Sequence, residues 1–139
     1  MDAYVAVAAR GNEVTLRREC GADLPAVAAG REAVKQALVV LLDNALAFSP
    51  RGGVVALRAS RASTTDVMVE VSDQGPGVEA QLREKIFEPF YSTRQGGSGV
   101  GLSFARAIAG ASGGSLHVSG ADGGGARFCL VLPAPATAD

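Results

Sequence analysis

The residue types best suited to binding chemistry lie between positions 73 and 102. Asp73 follows a run of alternating valines, and Gly75 and Gly77 come two and four residues after it. A carboxylate at the end of a strand is held in place by the sheet and can accept a hydrogen bond from the amino group of a ligand. The glycines let the backbone approach that ligand closely and permit positive φ. Asp and Gly are also ordinary turn residues, so this pattern taken alone favours a surface turn.

A second glycine cluster, GGSGVGL, occupies residues 96–102 and leads into an apolar pattern with helical spacing. The N-terminus of a helix presents N–H groups without an intrahelical partner and the positive end of the helix dipole, so it binds phosphate without a charged side chain. No Gly-Lys-Ser or Gly-Lys-Thr sequence follows, which excludes a Walker A loop. The alternative for this cluster is a flexible linker before a helix.

An amide and three aromatic residues complete the set. Asn44 lies in VLLDNALAFSP, residues 40–50, and its amide oxygen is a suitable hard ligand for Mg²⁺. It borders the apolar stripe of a predicted helix, which fits the edge of a cleft better than open solvent. Phe87, Phe90 and Tyr91 lie in or beside EPFYSTR, residues 88–94, where the simplest interpretation is that they anchor a loop on the core.

Hydrophobic periodicity predicts the elements that must position these residues. Residues 31–48 and 100–111 have helical spacing, and residues 79–87 predict a short helix. Residues 88–98 have no period and predict a loop. The predicted strands are 4–8, 14–18, 54–60, 67–72, 116–119 and 127–132, with a brief additional strand at 26–28. Strands and helices mix without strict alternation, which predicts an open sheet with helices on one face.

The composition is that of a globular domain. The chain has 139 residues, of which 47% are hydrophobic and 19% charged, and its formal net charge is −1. This charge argues against a large nucleic-acid or anionic-membrane footprint. No apolar run approaches the roughly 20 residues that span a bilayer, and no signal peptide is expected. Cys20 and Cys129 show no metal or redox spacing and predict reduced thiols, although the sequence leaves a disulfide between them open.

The ordered boxes around Asn44, Asp73, Phe90 and Gly101 together resemble the ATP-binding domain of bacterial sensor histidine kinases. These belong to the GHKL superfamily of gyrases, heat-shock chaperones, histidine kinases and mismatch-repair ATPases. The resemblance covers roughly residues 30–132 and implies an α/β (α+β) two-layer sandwich of the Bergerat type, with a mixed, mainly antiparallel sheet covered on one face by helices. It implies one domain over 1–139, with an N-terminal hairpin region (1–29), an ATP lid (88–98) and a tail (133–139) that we expect to be frayed.

The resemblance also assigns roles. Asp73 reads adenine, Asn44 holds Mg²⁺, Phe90 packs the lid down and Arg94 is a lid residue that contacts phosphate. The implied ATP-binding residues are Asn44, Asp73, Gly75, Gly77, Thr93, Arg94, Gly97, Ser98, Gly99, Val100, Gly101 and Leu102. The implied cofactors are ATP and Mg²⁺, and the implied partners are a histidine-bearing dimerisation domain and a downstream response regulator. We expect a cytoplasmic domain that contacts neither nucleic acid nor membrane directly.

Two positions depart from the family pattern. Val40 stands where histidine kinases often have a second polar residue and the ATP-hydrolysing branches a glutamate base, so rapid hydrolysis is not expected. Ala47 stands where the family often has Lys or Arg. The only histidine, His117, lies on a predicted strand and is expected to be structural. The chain is therefore expected to be an excised catalytic domain or a kinase half that works on a partner.

Two other functions stay open from the sequence. One is a stand-alone serine kinase of the anti-sigma-factor type, which shares the fold but generally lacks a segment like EPFYSTR. The other is a binding module with a degenerate site, which Val40 and Ala47 would suit.

Overall fold

The computed structural model describes residues 2–9, 12–20, 31–63, 65–91, 100–121 and 124–133. Within these ranges the α-helices are α1 (Arg31–Phe48) and α2 (Gly101–Ala111). The strands are β1 (Asp2–Ala9), β2 (Asn12–Cys20), β3 (Val54–Arg61), β4 (Asp66–Ser72), β5 (Ser115–Gly120) and β6 (Ala126–Pro133).

All six of these strands form one sheet in the order β1-β2-β3-β4-β6-β5. β2 and β3 pair in parallel, with α1 between them in the chain, and every other neighbouring pair is antiparallel. The mixed, mainly antiparallel sheet and the predicted N-terminal and C-terminal hairpins are therefore confirmed.

The helices cover one face of the sheet, and their small and apolar residues make the contact. Ala37, Leu41 and Ala45 of α1 and Ala105 and Ala109 of α2 are buried. They pack on the inward-facing residues of the strands, where Val67, Val69 and Val71 alternate with partly exposed neighbours. Burying a Leu or Val side chain contributes about 1.5–3 kcal/mol, so this layer holds the two helices at fixed positions over the sheet.

The end of α1 is defined by its own sequence. Ser49 donates to the carbonyl of Ala45 twice, through its backbone N–H at 3.0 Å and through its hydroxyl at 2.8 Å, so this carbonyl of the last turn is satisfied. Pro50 cannot continue the helix, and Gly52 has φ of 80°, a conformation that favours glycine. The chain then turns directly into β3.

Two expectations need correction. Residues 79–87, predicted as one short helix, instead form two separate 3₁₀ turns of three residues each, Ala80–Leu82 and Lys85–Phe87. Pro133, assigned to the tail, pairs with Asp66 as the last residue of β6. The predicted strand at 26–28, most of the predicted lid (92–98) and the remaining tail (134–139) lie outside the described residues.

Candidate functional site

Asp73 comes directly after β4 and is 4% exposed. Its carboxylate oxygen Oδ1 accepts hydrogen bonds from the backbone N–H of Gly75 at 2.9 Å and of Ala126 at 3.1 Å. Its own N–H donates to the carbonyl of Ala126 at 2.9 Å. No described residue donates to Oδ2, so the second carboxylate oxygen keeps its capacity to accept from a ligand.

The ionisation of Asp73 reflects this position. Burial raises the pKa of its carboxyl above the ordinary value, and the N–H donors of Gly75 and Ala126 oppose that rise by stabilising the anion. Burial is the larger effect. A buried acceptor that is fixed by backbone bonds at one oxygen suits a directional contact to a ligand, since it needs little reorganisation on binding.

Three glycines let the backbone close around Asp73. A Cβ at Gly75 would lie 2.5 Å from the carbonyl oxygen of Phe48, so this turn abuts the last residue of α1. Gly77 has φ of 77°, and a Cβ there would lie 3.0 Å from the carbonyl oxygen of Gly125. Gly125 has φ of 87°, and its Cβ would lie 2.7 Å from the carbonyl carbon of Asp73 and overlap the attached oxygen. Only glycine fits this last position without displacing the Asp73 backbone.

The sequence singled out Gly75 and Gly77 but not Gly125. That residue lies in the glycine-rich segment 120–125, which predicts only a hairpin loop. A signal was present in the run of three glycines, but a single sequence does not show that the β5–β6 loop returns to the end of β4. The pairing of β4 with β6 creates that contact.

The first turn of α2 lies next to α1. A Cβ at Gly101 would lie 3.3 Å from Cγ1 of Val40, so the start of α2 faces the middle of α1. Val100 is the N-cap residue, and its valine side chain cannot cap the N–H groups of the first turn. These groups, at Gly101, Leu102 and Ser103, have no carbonyl four residues earlier within the helix.

Asn44 follows Val40 by one helical turn and therefore lies on the same side of α1. Its side chain is partly buried and makes no hydrogen bond to any described residue. Phe48, whose carbonyl faces Gly75, comes one further turn along. One side of α1 thus carries three residues of the site in succession. Val40 contacts the start of α2, Asn44 presents its amide, and Phe48 contacts the turn after Asp73.

The aromatic segment departs from the expected packing. Phe90, expected to pack the lid down, is 79% exposed, and its φ of 69° is unusual for a bulky residue. Phe87 anchors the segment on the core, as the simplest interpretation predicts for these aromatic residues: it is 5% exposed and packs edge-on against Phe128 with ring centroids 6.2 Å apart. The guanidinium of Arg106 lies 4.5 Å from the centre of the Phe87 ring and bonds to Glu84 at 3.0 Å. Arg106 therefore ties α2 to this segment, a role that its helical position in the sequence does not indicate.

The structure places seven of the twelve predicted ATP-binding residues: Asn44, Asp73, Gly75, Gly77, Val100, Gly101 and Leu102. The contacts above connect them along α1. The other five, Thr93, Arg94, Gly97, Ser98 and Gly99, lie outside the described residues. His117 is exposed on β5, opposite Cys129 of β6, and Cys129 is a free thiol.

The part of the chain that the structure describes lacks two kinds of feature. No group of three or more His, Cys, Asp or Glu side chains is arranged to hold a metal ion. None of its helices is long and apolar enough to cross a membrane.

A sequence profile of the family described as histidine kinase-, DNA gyrase B- and HSP90-like ATPases matches residues 29–136. Among curated proteins, the adaptive-response sensory kinase SasA of Nostoc sp. is 37% identical over 115 residues, which cover 80% of this chain and 29% of that protein. The signal transduction histidine-protein kinase AtoS of Escherichia coli is 33% identical over 111 residues, covering 80% of this chain and 18% of AtoS. The chain therefore spans less than a third of either relative.

Solved structures agree with the sequence comparison. The mycobacterial sensor histidine kinase MprB superposes with a TM-score of 0.78 at 29% identity, covering 88% of this chain and 84% of that structure. Full-length ShkA in complex with AMPPNP gives a TM-score of 0.76 at 31% identity, with 89% of this chain and 27% of that one covered. The chain belongs to the family of histidine kinase-, DNA gyrase B- and HSP90-like ATPases, and its fold is that of a sensor histidine kinase catalytic domain.

Proposed function

We propose that this chain binds Mg-ATP and donates the γ-phosphate to a histidine on a separate dimerisation domain, as the catalytic domain of a two-component sensor kinase. The observation that carries the proposal is Asp73, a buried carboxylate with one oxygen fixed by two backbone amides and the other available to a ligand. Its position beside close-packed glycine backbone suits the flat face of a purine and its exocyclic amino group.

The phosphates would lie along α1, away from Asp73. The N–H groups at the start of α2, which have no partner within the helix, supply donors and the positive end of the helix dipole. Thr93, Arg94, Gly97, Ser98 and Gly99 are proposed to complete this end. The similarity to ShkA, which was solved in complex with AMPPNP, supports nucleotide binding in a fold of this type.

The residues present fit a metal that is bound mainly by the nucleotide. Mg²⁺ prefers oxygen ligands, keeps several waters and takes few protein ligands. Asn44 offers one amide oxygen that accepts no hydrogen bond from any described residue, and the described residues contain no cluster of acids that would hold a metal alone. Bound there, Mg²⁺ would neutralise charge on the phosphates, and Asn44 is the residue proposed to hold it.

The transfer itself would need little from the protein beyond position and charge. A histidine nitrogen of the partner forms a bond to the γ-phosphorus as the bond to the β-phosphate oxygen breaks, which leaves ADP. Val40 lies beside the start of α2, and a valine side chain cannot take a proton from water. We therefore expect ATP hydrolysis by the chain alone to stay close to background. A general base is typically worth about 10²–10⁴-fold in rate.

An exposed apolar surface near the start of α2 suits the dimerisation domain. Val100 and Phe104 lie one turn apart on α2 and are 40% and 48% exposed, and Phe90 precedes the predicted phosphate-contacting residues. Large exposed apolar side chains grouped on one side of a domain mark protein contacts. The histidine-bearing domain is proposed to dock there, with a response regulator downstream and the whole assembly in the cytoplasm.

The test combines binding and transfer. The chain is incubated with γ-labelled ATP and a panel of histidine-bearing dimerisation domains, and acid-labile label on the partner histidine is measured. Phe104→Ser should reduce transfer while ATP affinity is kept, and Val39→Ser, which changes an exposed valine of α1, serves as the control.

The outcomes separate the competing functions. Label on a partner serine would support the anti-sigma-factor type of kinase, and absence of nucleotide binding would support a degenerate module. Label on His117 would contradict the structural role given to that residue.

A further inference from the structure

The face of the sheet opposite the helices carries a trough of about 250 Å³. Its walls include Arg17 of β2, Arg58 of β3 and Arg127 of β6, with Glu70 of β4 among them. Val54, Ala56, Ser72, Gln74 and Ala121 complete the lining together with Asp73. We call this feature the arginine trough.

The strand register explains the depression. Arg17 pairs with Ala56, Ala56 with Ser72, and Ser72 with Arg127, so these four residues form one row across four strands. Adjacent strands lie about 4.8 Å apart, which separates the two outer strands by about 14 Å. Two small side chains between two arginines leave a low floor with a guanidinium at each end. In the next row Arg58 faces Glu70.

The described residues that line the trough carry a positive net charge. They supply three guanidinium groups and two carboxylates, and one of these carboxylates, Asp73, is buried and bonded to backbone N–H groups. Glu70 is 15% exposed and lies 3.8 Å from Arg127, which is 30% exposed. The three arginines also interact within the protein. Each guanidinium has five N–H donors, so an internal contact positions the group and leaves donors for a ligand.

The trough shares Asp73 with the candidate nucleotide site, but the row of Arg17, Ala56, Ser72 and Arg127 lies on the face of the sheet opposite the helices. Side chains alternate along β4, so Ser72 faces the trough, whereas Val71 faces the helices. The start of α2 and Asn44 lie on the helical side. The two sites meet at Asp73, directly after β4, and the next residue, Gln74, accepts a hydrogen bond from the N–H of Val54 at 2.8 Å.

We propose that the arginine trough is a second ligand site, which takes a small molecule with two or more phosphate or carboxylate groups. Arginine binds both groups through paired N–H donors, and guanidinium groups on opposite walls suit a ligand with anionic groups at both ends. The volume is below the roughly 300–1,000 Å³ of pockets that enclose drug-sized ligands, which favours a compact anion. The proposal does not depend on nucleotide binding at Asp73.

The experiment maps binding by ¹H–¹⁵N spectra of the whole chain during titration with pyrophosphate and, separately, with citrate. The expected result is saturable shifts at the amides of Ala56, Arg58, Ser72 and Arg127. Shifts with pyrophosphate alone would assign the site to phosphate, and shifts with citrate alone to carboxylate. Arg58→Gln should weaken binding about tenfold, since one charge-assisted hydrogen bond contributes about 1.5–3 kcal/mol.

Variants separate the site from general surface charge. Arg51→Gln removes an exposed arginine of a turn outside the trough and should change the affinity less than about twofold. Arg58→Lys keeps the charge but loses the paired donors and should give an intermediate affinity. Because Arg58 is exposed, both of its variants are expected to fold, and their spectra report this directly.

Three results would overturn the proposal. These are unshifted trough amides at millimolar anion, equal weakening by Arg51→Gln and Arg58→Gln, or shifts confined to the start of α2. Binding of an octaglutamate peptide without binding of either small anion would assign the trough to an acidic protein segment instead.

Discussion

The two ends of the candidate nucleotide site are built in different ways. At the Asp73 end, specificity rests on a buried carboxylate whose surroundings are backbone atoms of Phe48, Gly75, Gly125 and Ala126. At the phosphate end, Asn44 is a single amide on a helix surface, and the donors are N–H groups of a helix terminus. Backbone packing leaves almost no freedom at the first end, whereas side chains at the second can change with little effect on the fold. We therefore expect substitution of the close-packed glycine at the Asp73 end to affect stability, and substitution of a side chain that contacts the ligand, at either end, to affect ligand affinity.

The largest effect is expected at Gly125. Gly125→Ala places a methyl group against the Asp73 carbonyl in a backbone conformation that L residues rarely adopt. We expect a loss of about 3–5 kcal/mol in the free energy of unfolding, from backbone strain and overpacking together. Urea denaturation measures it.

Gly124→Ala is the matched control for this change. Gly124 also has positive φ, at 99°, but a Cβ there meets no atom within 4 Å. Its loss should be only the strain of about 1–2 kcal/mol. Equal losses of unfolding free energy in the two variants would show that Gly125 does not pack tightly against Asp73. The proposed difference in backbone packing between the two ends of the nucleotide site would then be wrong.

A smaller effect is expected at the phosphate end. Asn44→Ala removes the proposed metal contact. The gain in ATP affinity on adding Mg²⁺ should therefore be about tenfold smaller in the variant than in the wild type, which corresponds to 1.4 kcal/mol. Calorimetry with and without chelator measures this. Gln36→Ala removes an exposed amide from the same helix and is the control. An unchanged Mg²⁺ dependence in Asn44→Ala would exclude Asn44 from the site.

The smallest effect concerns pH. Burial raises the pKa of Asp73, so the folded state holds its proton to higher pH than the unfolded state does. Stability therefore falls as pH rises from the unfolded pKa through the folded pKa. Without nucleotide, Asp73→Asn should be the more stable protein above that window, and its advantage should shrink as the pH falls below it. Thermal unfolding between pH 3 and pH 8 measures the difference. An advantage that grows in acid would contradict the sign.

Local patterns predicted most of the fold. The helical spacing of residues 31–48 gave both ends of α1, and Val67, Val69 and Val71 face the core as their alternation indicates. The 3₁₀ turns at 80–87 were predicted as one helix, because a short apolar segment with charged neighbours does not distinguish the two. What was missed is mainly long-range. The approach of Gly125 to Asp73 and the row Arg17–Ala56–Ser72–Arg127 depend on strand pairing, which one sequence does not specify.

The aromatic segment shows a different reason for a missed contact. The resemblance implies that Phe90 packs the lid down, yet Phe90 is exposed, and the buried ring is that of Phe87, three residues earlier. Both are phenylalanines in one short segment, and only the positions of Phe128 and Arg106 decide which one is covered. Asp73, by contrast, lies directly after β4, as the valine alternation before it predicts, and its role as the adenine-reading acid, which the resemblance implies, stays a prediction.

The central claim is that Asp73 reads adenine, and calorimetric titration of ATP and GTP into the wild type and Asp73→Asn tests it most directly. The adenine amino group can donate to Oδ2, whereas guanine has a carbonyl at that position, so the wild type should bind ATP more tightly than GTP. Asp73→Asn should keep its fold and lose about 1–3 kcal/mol of ATP binding. Equal affinity of the wild type for ATP and GTP, or unchanged ATP affinity in the folded variant, would contradict the claim.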